Sequence, residues 1–228
     1  MLQAIIFDMD GVIVDSEYVE FALQKTFIRD IQEHDREISH QEYSQVAGKS
    51  LKDIPEIMQR LSGSSLPLDD IRARYLVFFH NIFDPIDYLT IFRQEIKQII
   101  QYAKANKIKL AVASSSALAH IQRILTACGI IDEFDLIVSG EQFEHSKPHP
   151  EIYQYTLQKL GVAAQRAVAI EDSYYGIIAA KQAGIPVIAY EETRMAIDQS
   201  LADYQGKDMT DILTIIKTLF TPTVENNA

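Results

Sequence analysis

Cysteine is nearly absent from the chain: among 228 residues there is one, Cys128. No internal disulfide can form, which suits a reducing compartment and makes the cytoplasm the expected location. Cys128 stands before Gly129 at the end of a helical pattern, so packing is its expected role rather than reactivity. Long apolar runs are missing too. No stretch approaches the roughly 18 apolar residues of a membrane-spanning helix. The opening MLQAIIF is short and uncharged, and it is not expected to act as a signal peptide. Basic runs are lacking. Lys and Arg number 21 against 32 Asp and Glu, a formal net charge of −11. Such an acidic chain excludes nucleic acid and anionic membrane as expected partners. An anionic substrate would have to be held locally, by a metal or a few cations. Internal repeats and low-complexity segments are also absent. The tail TPTVENNA is expected to fray.

What is present is enough apolar residue, 47%, for a full core. Short apolar runs at 3–7, 109–113, 136–138, 167–170 and 187–189 read as buried strands. Helical patterns at 92–105, 117–127, 151–160 and 175–183 separate them. Gly129, Gly161 and Gly184 each follow such a pattern as a stop. Strands alternating with helices predict an α/β fold, a Rossmann-like parallel sheet covered on both faces. The region after the first strand has no convincing strand. It reads as helices at 17–31, 40–46, 51–61 and 68–83, broken at Gly48, at Ser62-Gly63-Ser64-Ser65 with Pro67, and at Pro85. The expected organisation is a core of 1–15 and 88–228 with an inserted α-helical unit of 16–87. Phe78, Phe79 and Phe83 follow helical spacing and are expected in the apolar centre of that unit.

The chemistry gathers where the strands end. The first strand runs into FDMDGVIVDS, which places Asp8, Asp10 and Asp15 within eight residues. The second is followed by Ser114-Ser115-Ser116, the third by a loop with Lys147, the fourth by Glu171-Asp172. Ligands of open parallel sheets bind outside the carboxyl ends of the strands. Acids, hydroxyls and one lysine converging there mark a candidate site.

With these residues in view, the chain resembles the haloacid dehalogenase superfamily, in its β-phosphoglucomutase-like phosphatase and phosphomutase branch. DxDGV at Asp8 to Val12 matches the first motif, Ser114 the second, Lys147 in SKPHPEIY the third, and Glu171-Asp172 in EDSYYGIIAAKQAG the fourth. The resemblance runs end to end, with the helical insertion where that branch carries its cap. It implies Asp8 as nucleophile, forming an aspartyl-phosphate. It implies Asp10 as general acid and base, with its carbonyl on a metal. Carboxylates facing a phosphate call for a hard cation, so Mg2+ is the expected cofactor, with Asp8, Asp10, Asp172 and Glu171 as its ligand set, Glu171 through water in one version. Lys147 is expected to set its charge against Asp8 and the phosphoryl oxygens. Gly11, Ser114, Ser115 and Lys147 are the expected phosphate contacts, Ser114 at a strand end that leads to a helix N-terminus. The remaining serines, like Asp15 and Ser16, read as helix caps, with a hinge at Asp15. His145 and His149 flank Lys147, but Pro148 breaks any helix between them, so loop contacts rather than a zinc site are expected.

The resemblance turns Glu20, Gly48, Lys49 and Ser50 of the cap toward the substrate. β-Phosphoglucomutases carry a histidine where this chain has Glu20 and an arginine where it has Leu51. Lys49 lacks the planar fork with which an arginine holds a second phosphate. Apart from this, the Pro-Gly step usual after the cap is missing, since 87–92 reads DYLTIF, which bears on the shape of the return linker and not on the reaction. From Glu20, Lys49 and Leu51, hydrolysis of a small phosphomonoester, a sugar phosphate or related metabolite, is expected, with phosphomutase action as the alternative. A non-catalytic phosphometabolite-binding protein would lack a catalytic group, and none is missing. A monomer is favoured.

Overall fold

The structure, a computed structural model, describes residues 1–47, 53–83 and 86–220. The first strand, β1 (Ala4–Phe7), precedes four helices, α1 (Ser16–Asp30), α2 (His40–Tyr43), α3 (Ile54–Ser62) and α4 (Leu68–Phe83). Then α5 (Ile96–Ala105) opens an alternation of β2 (Lys109–Ser114), α6 (Leu118–Ala127), β3 (Leu136–Ser139), α7 (Glu151–Leu160), β4 (Ala167–Glu171), α8 (Tyr174–Gln182) and β5 (Val187–Tyr190). A short β6 (Tyr204–Gly206) and α9 (Met209–Phe220) follow. The fold is α/β with a parallel sheet, as the strand–helix alternation and the resemblance both implied. The chain forms two compact units. One holds Met1–Val14, Phe92–Glu191 and the residues from Asp198 onward. The other holds Asp15–Ile91 and Glu192–Ile197.

In the first unit the strands lie in the order β3-β2-β1-β4-β5-β6, all parallel. β1 is central. Phe7 sits level with Val112 of β2 and with Ile170 of β4. All four of its residues are fully buried, because helices cover both faces of a parallel sheet. Ala4 and Ile6 face a cluster that takes in Ile152, Tyr153 and Leu157 of α7 and Ile177 of α8. Phe7, on the opposite face, meets Phe134 edge-on at 6.1 Å. The strand order reverses between β1 and β4, and it is outside the carboxyl ends at such a switch point that open parallel sheets bind ligands.

Four strands run one residue further than their apolar runs, through Ser114, Ser139, Glu171 and Tyr190. Backbone pairing continues past the apolar residues: Ser114 still pairs with Ser139, and Glu171 with Ala189. α5 begins at Ile96 rather than at 92, because Phe92 bridges Val14 and the Arg93 amide donates to the Ile13 carbonyl at 3.0 Å. Nothing apolar signalled β6, whose Tyr204 and Gln205 are exposed.

The second unit is helical. Phe21, Phe27, Met58, Leu61, Ile71 and Tyr75 form its buried centre, with Phe27 and Tyr75 in ring contact at 5.4 Å. Phe83 is buried and stacks on Phe79 at 4.6 Å, while Phe78 and Phe79 are half-buried against the cluster. Asp15 occupies the N-cap position of α1, but its side chain makes no capping bond. Its carboxylate instead accepts two bonds from Arg194, at 2.6 and 2.7 Å. Arg194 lies over the Tyr18 ring at 4.0 Å, Met195 is buried in the helical cluster, and the Ala196 amide donates to Ser44 Oγ at 3.1 Å. A six-residue strap from beyond β5 is thus built into the helical unit. Among the described residues no helix is long and apolar enough to cross a membrane.

Ile6→Ala is expected to cost about 2–5 kcal/mol, from lost apolar contact plus a residual cavity. It should appear as a lower urea midpoint by circular dichroism with an unchanged slope. Val77→Ala, at a 62% exposed site of α4, should stay within about 0.5 kcal/mol of the wild type.

Candidate active site

β1 delivers Asp8 to the carboxyl edge of the sheet. The Asp8 amide donates to the Ile170 carbonyl at 3.0 Å, so pairing with β4 holds one residue past the strand. The chain then turns back tightly. The Met9 carbonyl accepts the amides of Val12, Ile13 and Val14, and the Gly11 amide donates to the Val14 carbonyl at 2.8 Å. Gly11 has φ +76, and a Cβ there would lie 1.9 Å from Asp172 Oδ2. Both its conformation and its space require glycine. One loop therefore carries Asp8 and Asp10 and passes directly against Asp172 at the end of β4.

Lys147 crosses into this arrangement from the loop before α7. Its Nζ donates to Asp8 Oδ1 at 2.7 Å, to Glu171 Oε1 at 2.7 Å and to the Ala113 carbonyl at 3.0 Å. All three donor hydrogens of the ammonium are used, and the group is buried. Burial alone would lower the lysine's pKa, but Asp8 and Glu171 outweigh it and hold the ammonium charged, well above its usual value. Burial pushes the Asp8 carboxyl up to about 7; Lys147 opposes that rise, while Glu171 and Asp10 add to it. One cation is not enough for the acids gathered round it.

Sequence reasoning missed the residues that hold Glu171. The Tyr153 hydroxyl donates to Glu171 Oε1 at 2.6 Å, and Ser173 Oγ donates to Oε2 at 3.2 Å. Burial, and then the Glu171 charge, keep the Tyr153 phenol protonated, well above its usual pKa. A Cβ on Gly176 would lie 2.0 Å from Glu171 Oε1, so α8 approaches the carboxylate too closely for any side chain there. Tyr153 sits in an apolar helical pattern and reads as core. Its hydroxyl was the available signal, since a buried phenol needs a partner.

The serine run divides differently from the expectation. Ser114 is buried, and its Oγ accepts from the Ser116 amide at 3.1 Å. Ser115 is exposed, with its backbone close to Gly140. Ser116 is the serine that meets an acid: its Oγ donates to Asp10 Oδ2 at 2.8 Å. The capping role expected of the remaining serines is not seen, because α6 starts later, with Ala117 at its N-cap and no side-chain bond there. The Leu118 amide is taken by Glu141 Oε2 at 3.0 Å, so a carboxylate already sits at that helix N-terminus.

Glu20 lies in the helical unit, where Oε1 accepts from Gln24 Nε2 at 3.0 Å and stands 3.5 Å from the Tyr75 hydroxyl. Gly48, Lys49, Ser50 and Leu51 lie outside the described residues. His145 and His149 have ring centroids 4.8 Å apart, and His149 lies 3.7 Å from Glu151. Among the described residues, the one acidic or histidine cluster with the spacing of a metal site is Asp8, Glu171 and Asp172. Each offers an oxygen within 4.8 Å of the others, and all three are buried. Hard oxygen donors and a deficit of positive charge fit a hard divalent cation.

Comparison with known proteins bears on the family and the fold. The family model for haloacid dehalogenase-like hydrolases matches residues 5–190. A phosphorylated carbohydrates phosphatase of Thermotoga maritima is 29% identical over 185 residues, covering 81% of this chain and 82% of that one. CbbY from Rhodobacter sphaeroides, solved in complex with xylulose-(1,5)-bisphosphate, superposes with a TM-score of 0.67 at 27% identity, over 92% of this chain and 96% of that one. A β-phosphoglucomutase from Clostridium difficile shares the fold, with a TM-score of 0.67 at 23% identity over 92% of each chain.

Gly11→Ala places a methyl group where Asp172 Oδ2 lies. Calorimetric titration with a divalent cation should show binding lost or weakened by roughly 10–100-fold while the circular dichroism spectrum stays native.

Proposed function

The chain belongs to the haloacid dehalogenase-like hydrolases, as an enzyme of their phosphatase branch, and on that premise we propose that it hydrolyses a small phosphorylated carbohydrate through an aspartyl-phosphate intermediate. The observation that carries this is the buried Lys147 ammonium shared by Asp8 and Glu171, with Asp10 two residues on. Lys147 fixes Asp8 Oδ1 and opposes the rise of its pKa, which leaves Oδ2 as the attacking atom. Oδ2 forms a bond to phosphorus as the bond to the leaving oxygen breaks, and Asp10 gives its proton to that oxygen. In the second step a water attacks the phosphorus of the aspartyl-phosphate, Asp10 takes the proton from that water, and the Asp8 carboxylate is released with inorganic phosphate. Ser116, through its bond to Asp10 Oδ2, keeps that carboxyl aimed in both steps. Ser114 is assigned to the phosphoryl oxygens; the phosphate contact expected of Gly11 is not available to its own backbone, whose amide is spent on the Val14 carbonyl and whose carbonyl accepts from Arg93.

Asp8 and Asp172 would hold a Mg2+ ion directly, with the Asp10 carbonyl. Glu171, both of whose oxygens are engaged by Lys147, Tyr153 and Ser173, supports them from behind or through water. The ion, when bound, neutralises phosphate charge that the acids would otherwise repel. Glu20 favours hydrolysis over mutase action, since a carboxylate at the position of the mutase histidine repels a second phosphate. We assign residues 16–87 to a substrate-selecting cap, a sugar phosphate as the substrate class, a monomer as the working form and the cytoplasm as its location.

Asp8→Asn is expected to lower p-nitrophenyl phosphate turnover by roughly a thousandfold or more. EDTA should abolish wild-type turnover and Mg2+ restore it; full activity in metal-free buffer would remove the ion from the mechanism. Supplied with β-glucose 1-phosphate and a bisphosphate primer, the protein should release inorganic phosphate without forming glucose 6-phosphate. Appearance of glucose 6-phosphate would reverse the ranking of hydrolysis over phosphomutase action.

A further inference from the structure

Three polar side chains that none of the four motifs contains tie the two acidic loops to one point. Arg93 NH2 donates to the Gly11 carbonyl at 3.0 Å, and NH1 donates to the Tyr190 hydroxyl at 2.7 Å. The guanidinium also lies 3.9 Å from the Tyr190 ring centroid. On the other side, Gln199 Nε2 donates to the Asp172 carbonyl at 2.6 Å and to the Tyr190 carbonyl at 2.8 Å. Gln199 is buried, and its own oxygen accepts from Gln205 at 3.2 Å. Tyr190, the last residue of β5, is therefore the common anchor of both loops.

We infer that Arg93 and Gln199 are positioning residues, a pair of tethers that fix the Gly11 and Asp172 backbones to Tyr190 and thereby set the spacing of the metal-binding carboxylates. The inference rests on the phosphatase reading for its catalytic consequence, and on geometry alone for its effect on metal binding. Gly11 is bonded to Asp10 and packs against the Asp172 carboxylate, so a shift of either carbonyl moves an acid. A misplacement of about 1 Å is enough to cost two orders of magnitude in a reaction. The three residues also sit beside the points where the chain passes between its units. Arg93 is the second residue after a return, Tyr190 stands two residues before the departure at Glu192, and Gln199 is the second residue after the return at Asp198. The tethers thus hold the acidic loops where the chain leaves for, and comes back from, the helical unit.

The test combines Mg2+ calorimetry of the metal-free protein with steady-state kinetics. The variants are Arg93→Met, Arg93→Lys, Gln199→Met and the milder Tyr190→Phe, which removes only a hydroxyl. Arg72→Met, at the exposed Arg72–Asp69 pair, is the control. Arg93→Met and Gln199→Met are expected to weaken Mg2+ binding by roughly 10–100-fold, as second-sphere changes do. The fall should be in kcat with KM little changed, Arg93→Lys should recover part of it, and Arg72→Met should match the wild type. Titrations run well below each variant's melting temperature, so a structural role alone would lower that temperature and leave affinity intact. Mg2+ affinity within twofold of wild type in Arg93→Met, Gln199→Met and Tyr190→Phe would overturn the inference. A wild type that binds no Mg2+ would overturn it as well. Weakened binding in the variants, together with a wild type inactive on phosphomonoesters, would uphold the tethers and reject the phosphatase reading.

Discussion

The ammonium of Lys147 stands between two buried carboxylates, and the carboxyl edge of the sheet is arranged around it. Each ion taken out of water costs several kcal/mol, and only close pairing with full hydrogen bonding offsets that. The structure meets the requirement by spending all three hydrogens of the lysine on Asp8, Glu171 and a strand carbonyl. Glu171 completes its own set with Tyr153 and Ser173. Two loops that follow different strands, and the last residue of β4, are thereby bound by charge as well as by the sheet. Burial raises the pKa of the Asp8 carboxyl, Lys147 only partly offsets it, and the three clustered acids have the spacing to take a further cation.

Packing tolerances follow from that arrangement. Acids can gather at the switch point of the sheet only if backbone passes close beside them, and two glycines permit it. Gly11 lets the first loop run against Asp172, and Gly176 lets α8 start against Glu171. The fully apolar β1 between β2 and β4 gives those loops a rigid base. Precision at the edge is inherited from a strand that makes no polar side-chain contact of its own.

Much of this was legible in the residues alone. The apolar runs of β1, β2, β4 and β5, the acids at the ends of β1 and β4 and the serines at the end of β2 show directly in the sequence, because a buried parallel strand is uniformly apolar and a site at its carboxyl end is abruptly polar. The contributions of Tyr153, Ser116, Arg93 and Gln199 were not legible. Tyr153 hides in an apolar helical face, Ser116 in a run of three equivalent serines, and the tethers reach across long stretches of chain to bond backbone carbonyls, which carry no residue signature. β6 and the Glu192–Ile197 strap escape for a related reason. Their residues are polar or mixed, and what places them is pairing with β5 in one case and with Asp15 and Ser44 in the other.

That strap bears on the modularity of the molecule. A helical segment spliced into a loop would be joined to its host by two peptide links, and nature or an engineer could exchange it by cutting at both. Here the host contributes a piece of its own chain, so the backbone passes between the units four times. Excising 15–91 would leave Met195 without its apolar surroundings and Arg194 without its carboxylate, on a segment that stays behind. Grafting that same stretch onto another core would leave Asp15 and Ser44 facing whatever sequence that core happens to offer. Descent of the helical unit is therefore expected to be tied to descent of the core, with substitutions at Asp15 and Arg194 arising together rather than by wholesale exchange.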